Sequence, residues 1–515
     1  MARLKGGEKK KSDSRKPVVL IILDGWGHRE DIKNNAIAQA RIPNYDALWS
    51  EYPHALLEAS EESAGLPKGQ IGNSEVGHMT IGAGTTIDTS LVRINKAIAK
   101  KEFSSNAAFK KLFSHVLKNN STLHVMGLVS SGGIHSHANH LYALLGAAKA
   151  ASVARIVIHA FTDGRDTPPR IAHQCLKELE EVLERLGVGH IATVSGRFFA
   201  MDRDNNWHRV AKFEDAALKG ISPAHDAKPS HIVGKLYEHG GLDEHFEPMI
   251  FLDASGKKHL VAENDGIFIF NYRADRVRML TERLLGFAEG KNIFIATMTE
   301  YKPEYDVVVA FPPQSVETTL AAEISRAGLC QAHIAETEKF PHATYFLNGG
   351  KNEPYPGEEH IMLESRKDVP THDLAPKMRA EGIADAAVDC VKRGVDFIFI
   401  NFANADMVGH TGNVPAIIEA VEEIDAQLKK VADAVSGVGG ICVISSDHGN
   451  VEINIDSETG EKHTAHTLNP VPCIITERGA NMRVRGTLAD IAPTVLELLG
   501  LPKPRVMTGR SLLTD

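Results

Sequence analysis

The sequence predicts an α/β fold of two domains, the second inserted into the first. Short apolar, β-branched runs alternate with amphipathic stretches of helical length, a pattern typical of sheets covered by helices. Aspartate and histidine follow such runs near residue 24 and again beyond residue 400. If one site at the carboxyl ends of parallel strands uses both sets, the intervening segment is an insertion between two parts of one domain.

Length and composition are ordinary for a globular protein. The chain has 515 residues, of which 43% are hydrophobic and 24% charged, and the length favours two or three domains. A net charge of −9 argues against nucleic-acid binding, which needs a positive field. No run reaches the roughly 18–20 apolar residues of a membrane helix. Five scattered cysteines without CxxC spacing fit a reducing compartment, so we expect a cytoplasmic protein without nucleic-acid or membrane partners.

Residues 1–16 are basic and lack the apolar stretch of a signal peptide, which predicts a disordered, solvated arm. A tail that binds nucleic acid or a membrane surface is the alternative. Order is expected to begin with the buried-strand run 17–23, which ends at Asp24, and an amphipathic stretch follows around 35–49. These elements open the first domain.

The middle of the chain forms a second α/β unit by the same pattern. Predicted strands cover 123–129, 155–161, 190–194 and 266–270, and predicted helices cover 141–151 and 172–186. Beyond it, 415–435 predicts a long amphipathic helix, and Thr487 opens a capping-box-like start to the final helix. The predicted domains are 17–88 with 311–515, and 89–310. The two crossings, near Asp88 and Phe311, form a pair of linkers that can hinge.

Three segments near the end of the chain concentrate aspartate and histidine: 404–410, 446–450 and 463–466. The first two directly follow the apolar runs 395–400 and 440–445, which predict buried parallel strands. Mixed carboxylate and imidazole ligands without cysteine suit Mn, Zn or Fe better than a structural zinc site. A single histidine here is as easily a hydrogen-bonded loop residue, but the clustering predicts a metal centre that Asp24 would complete.

Ser74 lies in the small-residue segment 69–78, which suits an exposed hydroxyl on a tight turn into a helix. The segment is not the GxSxG elbow of serine hydrolases. A serine that faces two divalent cations loses its proton to metal coordination and can attack phosphorus. The alternative is a serine that only caps the helix.

Arginines in the middle segment follow three of the predicted strands and adjoin glycine, proline or aromatic residues. They are Arg165 beside Asp166, Arg197 and Arg203, and Arg273 and Arg276. Guanidinium groups bind carboxylate and phosphate in bidentate fashion. Each arginine alone could serve a surface ion pair, but three strand-end groups favour an anionic substrate. His135 and His137 occupy a similar strand-to-loop position.

From residue 17 to the C-terminus the chain closely resembles the cofactor-independent (2,3-bisphosphoglycerate-independent) phosphoglycerate mutases of the alkaline phosphatase-like superfamily. The motifs are long and ordered: LDGWG, GQIGNSEVGHMTIGAG, GGIHSH, DGRDTPP, GRFFAMDRD, FNYRADR, ETEKFPH, NFANADMVGHTG, SDHGN and HTAHTLNPVP. Departures at Ile71 and Ala274 touch no implied ligand. The resemblance implies an alkaline phosphatase-like α/β sandwich that binds metal, with an inserted phosphotransferase or substrate domain.

The resemblance also implies a set of site residues and two Mn²⁺ ions, other divalent cations being tolerated. One ion would be held by Asp24, Ser74, Asp447 and His448, and the other by Asp406, His410 and His466. The family motif selects His466 over His463, which spacing alone cannot do. The substrate-binding residues would be His135, Arg165, Asp166, Arg197, Arg203, Arg273, Arg276 and Lys339, and the catalytic ones Ser74, Asp166 and Lys339.

The implied activity is that of a glycolytic isomerase, a monomer that interconverts 3-phosphoglycerate and 2-phosphoglycerate through a phosphoserine at Ser74. A phosphatase, sulfatase or phosphopentomutase of the same superfamily is one alternative, and it would lack the arginine motifs. A catalytically silent binding or scaffold protein is another, and it would have lost ligands that this chain retains.

Overall fold

The computed structural model describes residues 16–457 and 459–514, which form two compact units. The first comprises the described residues up to Thr89 and from Ser315 onward, and the second is Ser90–Gln314. Each unit contains its own large sheet. The predicted fold class, an α/β protein with a second α/β domain inserted into the first, is therefore confirmed. The predicted arm over 1–16 lies, except for Lys16, outside the described residues.

The first unit is built on one eight-stranded mixed sheet. In spatial order its strands are Glu358–Leu363, Gln331–Glu336, Phe397–Phe402, Val18–Leu23, Ile441–Ser445, Val471–Ile475, His54–Glu58 and Arg485–Thr487. Val471–Ile475 runs antiparallel to both neighbours, and the other described pairings of this sheet are parallel. The predicted runs at 17–23, 395–400 and 440–445 form three adjacent parallel strands that are buried at every residue, as expected for strands covered on both faces.

Helices cover both faces of this sheet. Val19 and Ile21 pack on one face with the long helix Val414–Gly437, whereas Leu20 and Ile22 pack on the other with Ile491–Leu498. The remaining helices are Ala36–Gln39, Pro43–Glu51, Ser74–Ala83, Leu320–Arg326, Ala380–Arg393 and Asn404–Gly409, with short 3₁₀ or π turns at Glu61–Ala64, His342–Phe346, His372–Leu374 and Leu488–Asp490. The stretch predicted around 35–49 is two helices, because Pro43 lacks an N–H and begins a new helix.

The second unit contains a separate eight-stranded sheet. Its order is Val308–Phe311, Phe294–Thr299, Gly266–Ile269, Leu123–Leu128, Ile156–Thr162, His190–Gly196, Met249–Phe251 and Ala224–His225. The first six run parallel to one another, and Met249–Phe251 is antiparallel to His190–Gly196. The four strands predicted in this segment are therefore consecutive neighbours, and their carboxyl ends lie along one edge of the sheet.

The helices of the second unit pack on this sheet through apolar faces. They are Ser90–Ala99, Ala107–Lys118, Ala138–Ala150, Ala172–Leu186, Arg197–Ala200, Trp207–Glu214, Pro229–Glu238 and Arg278–Ala288, with short turns at Phe103–Ser105, Asp215–Lys219 and Asp243–His245. Helix Ala172–Leu186 has the bounds that its amphipathic pattern predicts, and it buries Leu176 and Leu179. A two-stranded ribbon, Asn481–Met482 with Leu513–Thr514, belongs to the first unit.

The helices and the cysteines bear on the expected compartment of the protein. None of the helices in the described ranges combines the length and apolarity needed to cross a membrane. The five cysteines are free thiols, four of them buried and Cys330 exposed.

Candidate metal centre and arginine cluster

Acidic side chains meet at the carboxyl ends of the three central strands of the first sheet. Asp24 directly follows Val18–Leu23, Asp406 lies in the short helix after Phe397–Phe402, and Asp447 comes two residues after Ile441–Ser445. All three are buried. Gly25 makes the close approach possible, since its φ of +76° suits glycine and an added Cβ would lie 2.9 Å from Cα of Asp406.

A lysine ammonium lies among these carboxylates. Nζ of Lys339 is 2.7 Å from Oδ1 of Asp24, 2.6 Å from Oδ2 of Asp406 and 2.7 Å from Oγ of Ser74. Burial alone would lower the pKa of Lys339, but Asp24 and Asp406 outweigh it and hold that pKa above its ordinary value. Lys339 is therefore a buried cation at neutral pH.

Ser74 is the first residue of helix Ser74–Ala83, and it does not cap that helix. The N-cap is Asn73, whose Oδ1 accepts a hydrogen bond of 3.0 Å from the backbone N–H of Val76. The capping alternative for Ser74 is therefore wrong, and its hydroxyl is available for other contacts. Oγ of Ser74 lies 2.9 Å from Nε2 of His448, next to the positive end of the helix dipole.

His410 and His466 lie beside Asp406. Their Nε2 atoms are 3.3 Å and 3.2 Å from its Oδ1. The Nδ1 atoms face backbone carbonyls, that of Thr464 at 2.8 Å for His410 and that of Gly72 at 2.8 Å for His466. An Nδ1–H that donates to a carbonyl leaves the lone pair on Nε2, the orientation typical of metal-binding histidines. His466, which spacing could not distinguish from His463, is the one that lies next to Asp406.

These side chains fit a divalent metal. Ligand atoms of Asp24, Asp447 and His448 lie within 4.8 Å of one another, and so do those of Asp406, His448 and His466. Within the described ranges, Oδ2 of Asp447 is buried and has no well-aligned hydrogen bond, although Nδ1 of His78 lies 3.3 Å and Nε2 of His448 3.4 Å from it. A cation would stabilise such a carboxylate. The three carboxylates also outnumber the single ammonium of Lys339.

The carboxyl groups differ in their affinity for protons. Burial raises the pKa of Asp24, and the neighbouring Asp447 raises it further. Asp406 and Asp447 have lowered pKa values, because Lys339 in one case and His448 in the other overcome the effect of burial. Of the three carboxyl groups, Asp24 therefore binds a proton most readily, and a bound cation would favour its ionised form.

Several supporting residues were not among the predicted site residues. Nδ2 of Asn401 donates to Oδ2 of Asp24 at 2.8 Å, and Nδ2 of Asn450 donates to Oδ1 of Asp406 at 3.2 Å. Nδ1 of His78 lies 2.9 Å from the carbonyl of Ser74. The sequence held a signal for two of them, because Asn401 interrupts an apolar strand and His78 follows Ser74 by one helical turn.

The second unit contains a separate cluster of arginines and acids at the carboxyl ends of its neighbouring strands. Arg197 begins a short helix after His190–Gly196, and its Nη1 lies 2.6 Å from Oδ1 of Asp163 and 2.6 Å from Oδ2 of Asp166. Burial alone would lower the pKa of Arg197, but Asp166 and Asp163 raise it above its ordinary value. Asp163, which was not predicted, therefore helps to fix both Arg197 and Asp166.

Asp275, also not predicted, joins the remaining members of this cluster. It lies 3.0 Å from Nη1 of Arg203 and 3.0 Å from Nε of Arg273. Nδ1 of His135 is 3.6 Å from Oδ1 of Asp275, and its Nε2 is 3.7 Å from Oδ2 of Asp166. Burial and the charge of Arg197 lower the pKa of His135 to about 4, so this ring is neutral at neutral pH.

Arg165 pairs with Glu244 at 3.4 Å, so within the described ranges Arg276 is the arginine of this cluster without a carboxylate ion pair. Burial lowers the pKa of Arg276, and the charges of Arg197, Arg203 and Arg165 lower it further. A bound anion would relieve this repulsion. Outside the cluster, His137 is the N-cap of helix Ala138–Ala150 and its Nδ1 accepts from the N–H of Asn139 at 3.2 Å.

The predicted site residues thus form two groups, one in each unit. The metal-ligand set, Ser74 and Lys339 come together in the first unit, whereas His135, Asp166 and the five arginines belong to the second.

The chain is similar to a known class of metal-dependent enzymes. A family model for the metalloenzyme superfamily matches residues 16–503, so the chain belongs to that superfamily. Metal binding by the acids and histidines of the first unit agrees with this class.

Two curated relatives narrow this assignment. The 2,3-bisphosphoglycerate-independent phosphoglycerate mutase of Listeria welshimeri is 45% identical and the match covers 97% of this chain and 99% of the relative. That of Syntrophotalea carbinolica is also 45% identical, over 97% and 98% of the two chains. A phosphoglycerate mutase structure from Leishmania mexicana, obtained at low cobalt concentration, aligns over 98% of this chain and 99% of its own with a TM-score of 0.54 and 29% identity. The chain belongs to the family of 2,3-bisphosphoglycerate-independent phosphoglycerate mutases.

Replacement of Lys339 by methionine tests the charge balance of the metal centre. With metal removed by a chelator, Lys339→Met leaves buried carboxylates unpaired, and we expect a loss of about 3–5 kcal/mol in the free energy of unfolding. Added divalent metal should recover more stability in this variant than in the wild type. Urea titrations with chelator and with metal measure both effects.

The matched control is Lys377→Met, which removes an exposed lysine paired with Glu423 at 3.2 Å. It should change stability little with or without metal. Equal losses in the two variants would contradict the role of Lys339 as the balancing cation.

Proposed function

We propose that this chain interconverts 3-phosphoglycerate and 2-phosphoglycerate by way of a phosphoserine at Ser74, without 2,3-bisphosphoglycerate. The position of Oγ of Ser74 carries this proposal. It lies at a helix N-terminus, within 2.7 Å of the Lys339 ammonium and 2.9 Å of His448, beside two sets of metal ligands. Such surroundings stabilise the negative charge of an attacking oxygen and of a transferring phosphoryl group.

The proposed cofactor is a pair of Mn²⁺ ions, with other divalent cations tolerated. Asp24, Ser74, Asp447 and His448 would hold one, and Asp406, His410 and His466 the other. Carboxylate and imidazole donors without thiolate support this choice. When bound, the ions lower the pKa of the serine hydroxyl and spread the charge of the phosphoryl group.

Residues of the first unit carry the phosphoryl group. Ser74 would lose its hydroxyl proton to solvent when the ions bind. In the first half-reaction Oγ of Ser74 attacks phosphorus, a bond from phosphorus to Ser74 forms, and the bond to the glycerate oxygen breaks. In the second, the other glycerate hydroxyl attacks phosphorus and the bond to Oγ of Ser74 breaks. Lys339 stays protonated because Asp24 and Asp406 raise its pKa, so it offers positive charge to the phosphoryl oxygens and no base for the serine proton. Asn401 and Asn450 orient the carboxylates of Asp24 and Asp406 throughout.

Residues of the second unit would bind the glycerate and transfer protons to and from its hydroxyl groups. Asp166 is the proposed acid and base, giving a proton to the departing oxygen and accepting one from the hydroxyl that later attacks. Arg197 holds this carboxylate at 2.6 Å, which fixes its position for both transfers. Arg276, which has no carboxylate ion pair among the described residues, would bind the carboxylate of the glycerate together with Arg165, Arg203 and Arg273 while the two hydroxyls exchange places.

Retention of the glycerate is what separates a mutase from a phosphatase, the second candidate function. Both would form a phosphoserine on the same metal centre. The arginine cluster favours the mutase, because it can bind an anionic acceptor that returns to the phosphoserine before water does. Measuring 2-phosphoglycerate formation against phosphate release from 3-phosphoglycerate distinguishes the two, and predominant phosphate release would exclude the mutase. We further propose that the enzyme works as a monomer in the cytoplasm.

Removal of the nucleophile provides the first test. Ser74→Ala should lower kcat by a factor on the order of 10⁶, because no residue replaces Oγ as phosphoryl acceptor. Labelled phosphate from substrate should appear on wild-type protein and be absent from the variant. Ser50→Ala, an exposed helical serine of the same unit, is the control and should behave as wild type. Substantial mutase activity in Ser74→Ala, without added 2,3-bisphosphoglycerate, means that the phosphoryl group takes another route.

Metal removal tests the cofactor. Chelated enzyme should lose activity, and titration with one divalent ion at a time should restore it best with Mn²⁺. Asp24→Asn and Asp406→Asn should each bind one equivalent of Mn²⁺ fewer than wild type, since each belongs to a different ligand set. Full activity in the chelated enzyme, or loss of both equivalents together in each variant, would count against two separate ions.

Loss of one arginine tests the anion-binding role of the second unit. Arg276→Ala should raise KM for 3-phosphoglycerate roughly tenfold to a hundredfold, the effect of losing a charged hydrogen bond. It should also raise the ratio of phosphate release to isomerisation. Arg155→Ala, an exposed arginine that contacts Asn120, should change neither quantity. An unchanged ratio in Arg276→Ala would show that this arginine does not retain the glycerate.

A further inference from the structure

A second group of side chains that could bind a metal lies on the last two strands at one edge of the first sheet. Its members are His333, Glu358 and His360. None of them belongs to the candidate metal centre. Strands Gln331–Glu336 and Glu358–Leu363 are parallel, and His333 and His360 are partners in register. Glu358 precedes His360 by two residues and therefore shares its face of the sheet. One ligand atom from each residue lies within 4.8 Å of the others.

Of the two distances to Oε1 of Glu358, that of His333 suits two donors on one small cation, whereas that of His360 is a hydrogen bond that a cation would replace. Oε1 of Glu358 is 2.6 Å from Nε2 of His360 and 3.3 Å from Nδ1 of His333. Donor atoms about 2.0–2.1 Å from a tetrahedral Zn²⁺ lie roughly 3.3 Å from one another. The side chains of His333 and Glu358 are fully buried, whereas that of His360 is 16% exposed and gives solvent access to the group.

The ring of His333 faces more acceptors than it has protons. Its Nδ1 lies 2.9 Å from the carbonyl of Ala343 as well as 3.3 Å from Glu358, and its Nε2 lies 3.3 Å from Oε1 of Gln331. Gln331 presents oxygen there because its own Nε2 donates to Ala321 at 2.8 Å. A neutral imidazole has one N–H.

We propose that His333, Glu358 and His360 bind a divalent transition-metal cation of the Zn²⁺ class. Metal binding would select the tautomer of His333 whose Nε2–H donates to Gln331 and whose Nδ1 lone pair faces Glu358, so that the contact of Nδ1 with the Ala343 carbonyl is no longer a hydrogen bond. An outer hydrogen bond of this kind is typical of metal-binding histidines. The cation satisfies the nitrogen that otherwise faces only oxygen atoms. Two imidazoles and one carboxylate are a ligand set that Zn²⁺ accepts, with a fourth position for a further ligand.

Asn348 provides a second, independent sign of a missing partner. Its Nδ2 donates to Oε1 of Glu358 at 2.7 Å, so the amide lies directly against the group. Its Oδ1 is buried and, among the residues that the structure describes, has no hydrogen-bond partner. Either this oxygen or a water that it orients can complete the coordination.

The site would have a structural role. The chain between the two ligand strands contains Lys339 and the π turn His342–Phe346, whose Ala343 carbonyl contacts His333. A cation bound to both strands would therefore hold together the two ends of the segment that carries Lys339. Its binding should stabilise this segment against local unfolding.

Zinc binding to matched variants tests the proposal. Wild type, His360→Gln, Glu358→Gln and His115→Gln are loaded with Zn²⁺, desalted and analysed for metal content. His115 is a partly buried histidine of the second unit, bonded to the Asn264 carbonyl at 3.0 Å, and serves as the control. We expect wild type and His115→Gln to hold one equivalent more than the other two. The same difference should appear in the visible absorption of bound Co²⁺.

Two features keep the test decisive. Glu358→Gln keeps the shape of the side chain and can still accept from Asn348, so it protects against a variant that fails to fold, and circular dichroism checks each protein. The readout is metal content, which does not depend on mutase turnover. Equal metal content in all four proteins would overturn the proposal, because the loss of a ligand would then have removed no metal.

Discussion

The structure of the metal-binding unit depends on the burial of three carboxylates at the ends of neighbouring parallel strands. Asp24, Asp406 and Asp447 cannot all remain charged in an apolar interior without cations. Lys339 supplies one positive charge and contacts two of them within 2.7 Å, but Oδ2 of Asp447 has only the histidines His78 and His448 beside it, without a well-aligned hydrogen bond. The shortage of positive charge is what makes this edge of the sheet a metal centre, and it places Ser74 where an oxygen nucleophile can form.

The two units have complementary chemistry. The first collects buried acids and imidazoles, which suit divalent cations, whereas the second collects guanidinium groups, which suit carboxylate and phosphate. Each cluster also contains residues of opposite charge that order it, Lys339 among the acids and Asp163, Asp166 and Asp275 among the arginines. In the proposed reaction the two kinds of group have different tasks, since metal ions would activate Ser74 while the arginines would hold the glycerate.

Much of this could be predicted from the sequence where the pattern is local. Strand Val18–Leu23 and helix Ala172–Leu186 are continuous, strongly periodic elements, and their predicted bounds agree with the structure within one residue. The polar partners were harder to find. Asp163 and Asp275 each follow a strand, as many structural residues do, and their importance depends on arginines that arrive from other strands. His333 and Glu358 carry no local signal, because they meet only through the pairing of the edge strand with its neighbour.

The sequence alone therefore determined the α/β class, the order of the strands along the chain and the residue types available at their ends. Apolar periodicity and strand-end position are properties of a few adjacent residues, and they survive without knowledge of the fold. Tertiary structure decided which of those residues meet. Asn73 rather than Ser74 caps its helix, and His466 rather than His463 lies beside Asp406. Lys339 reaches the acid cluster from the turn that follows strand Gln331–Glu336. Contacts across a sheet join residues that are hundreds of positions apart, so the energy of a buried charge is known only once all its neighbours are in place.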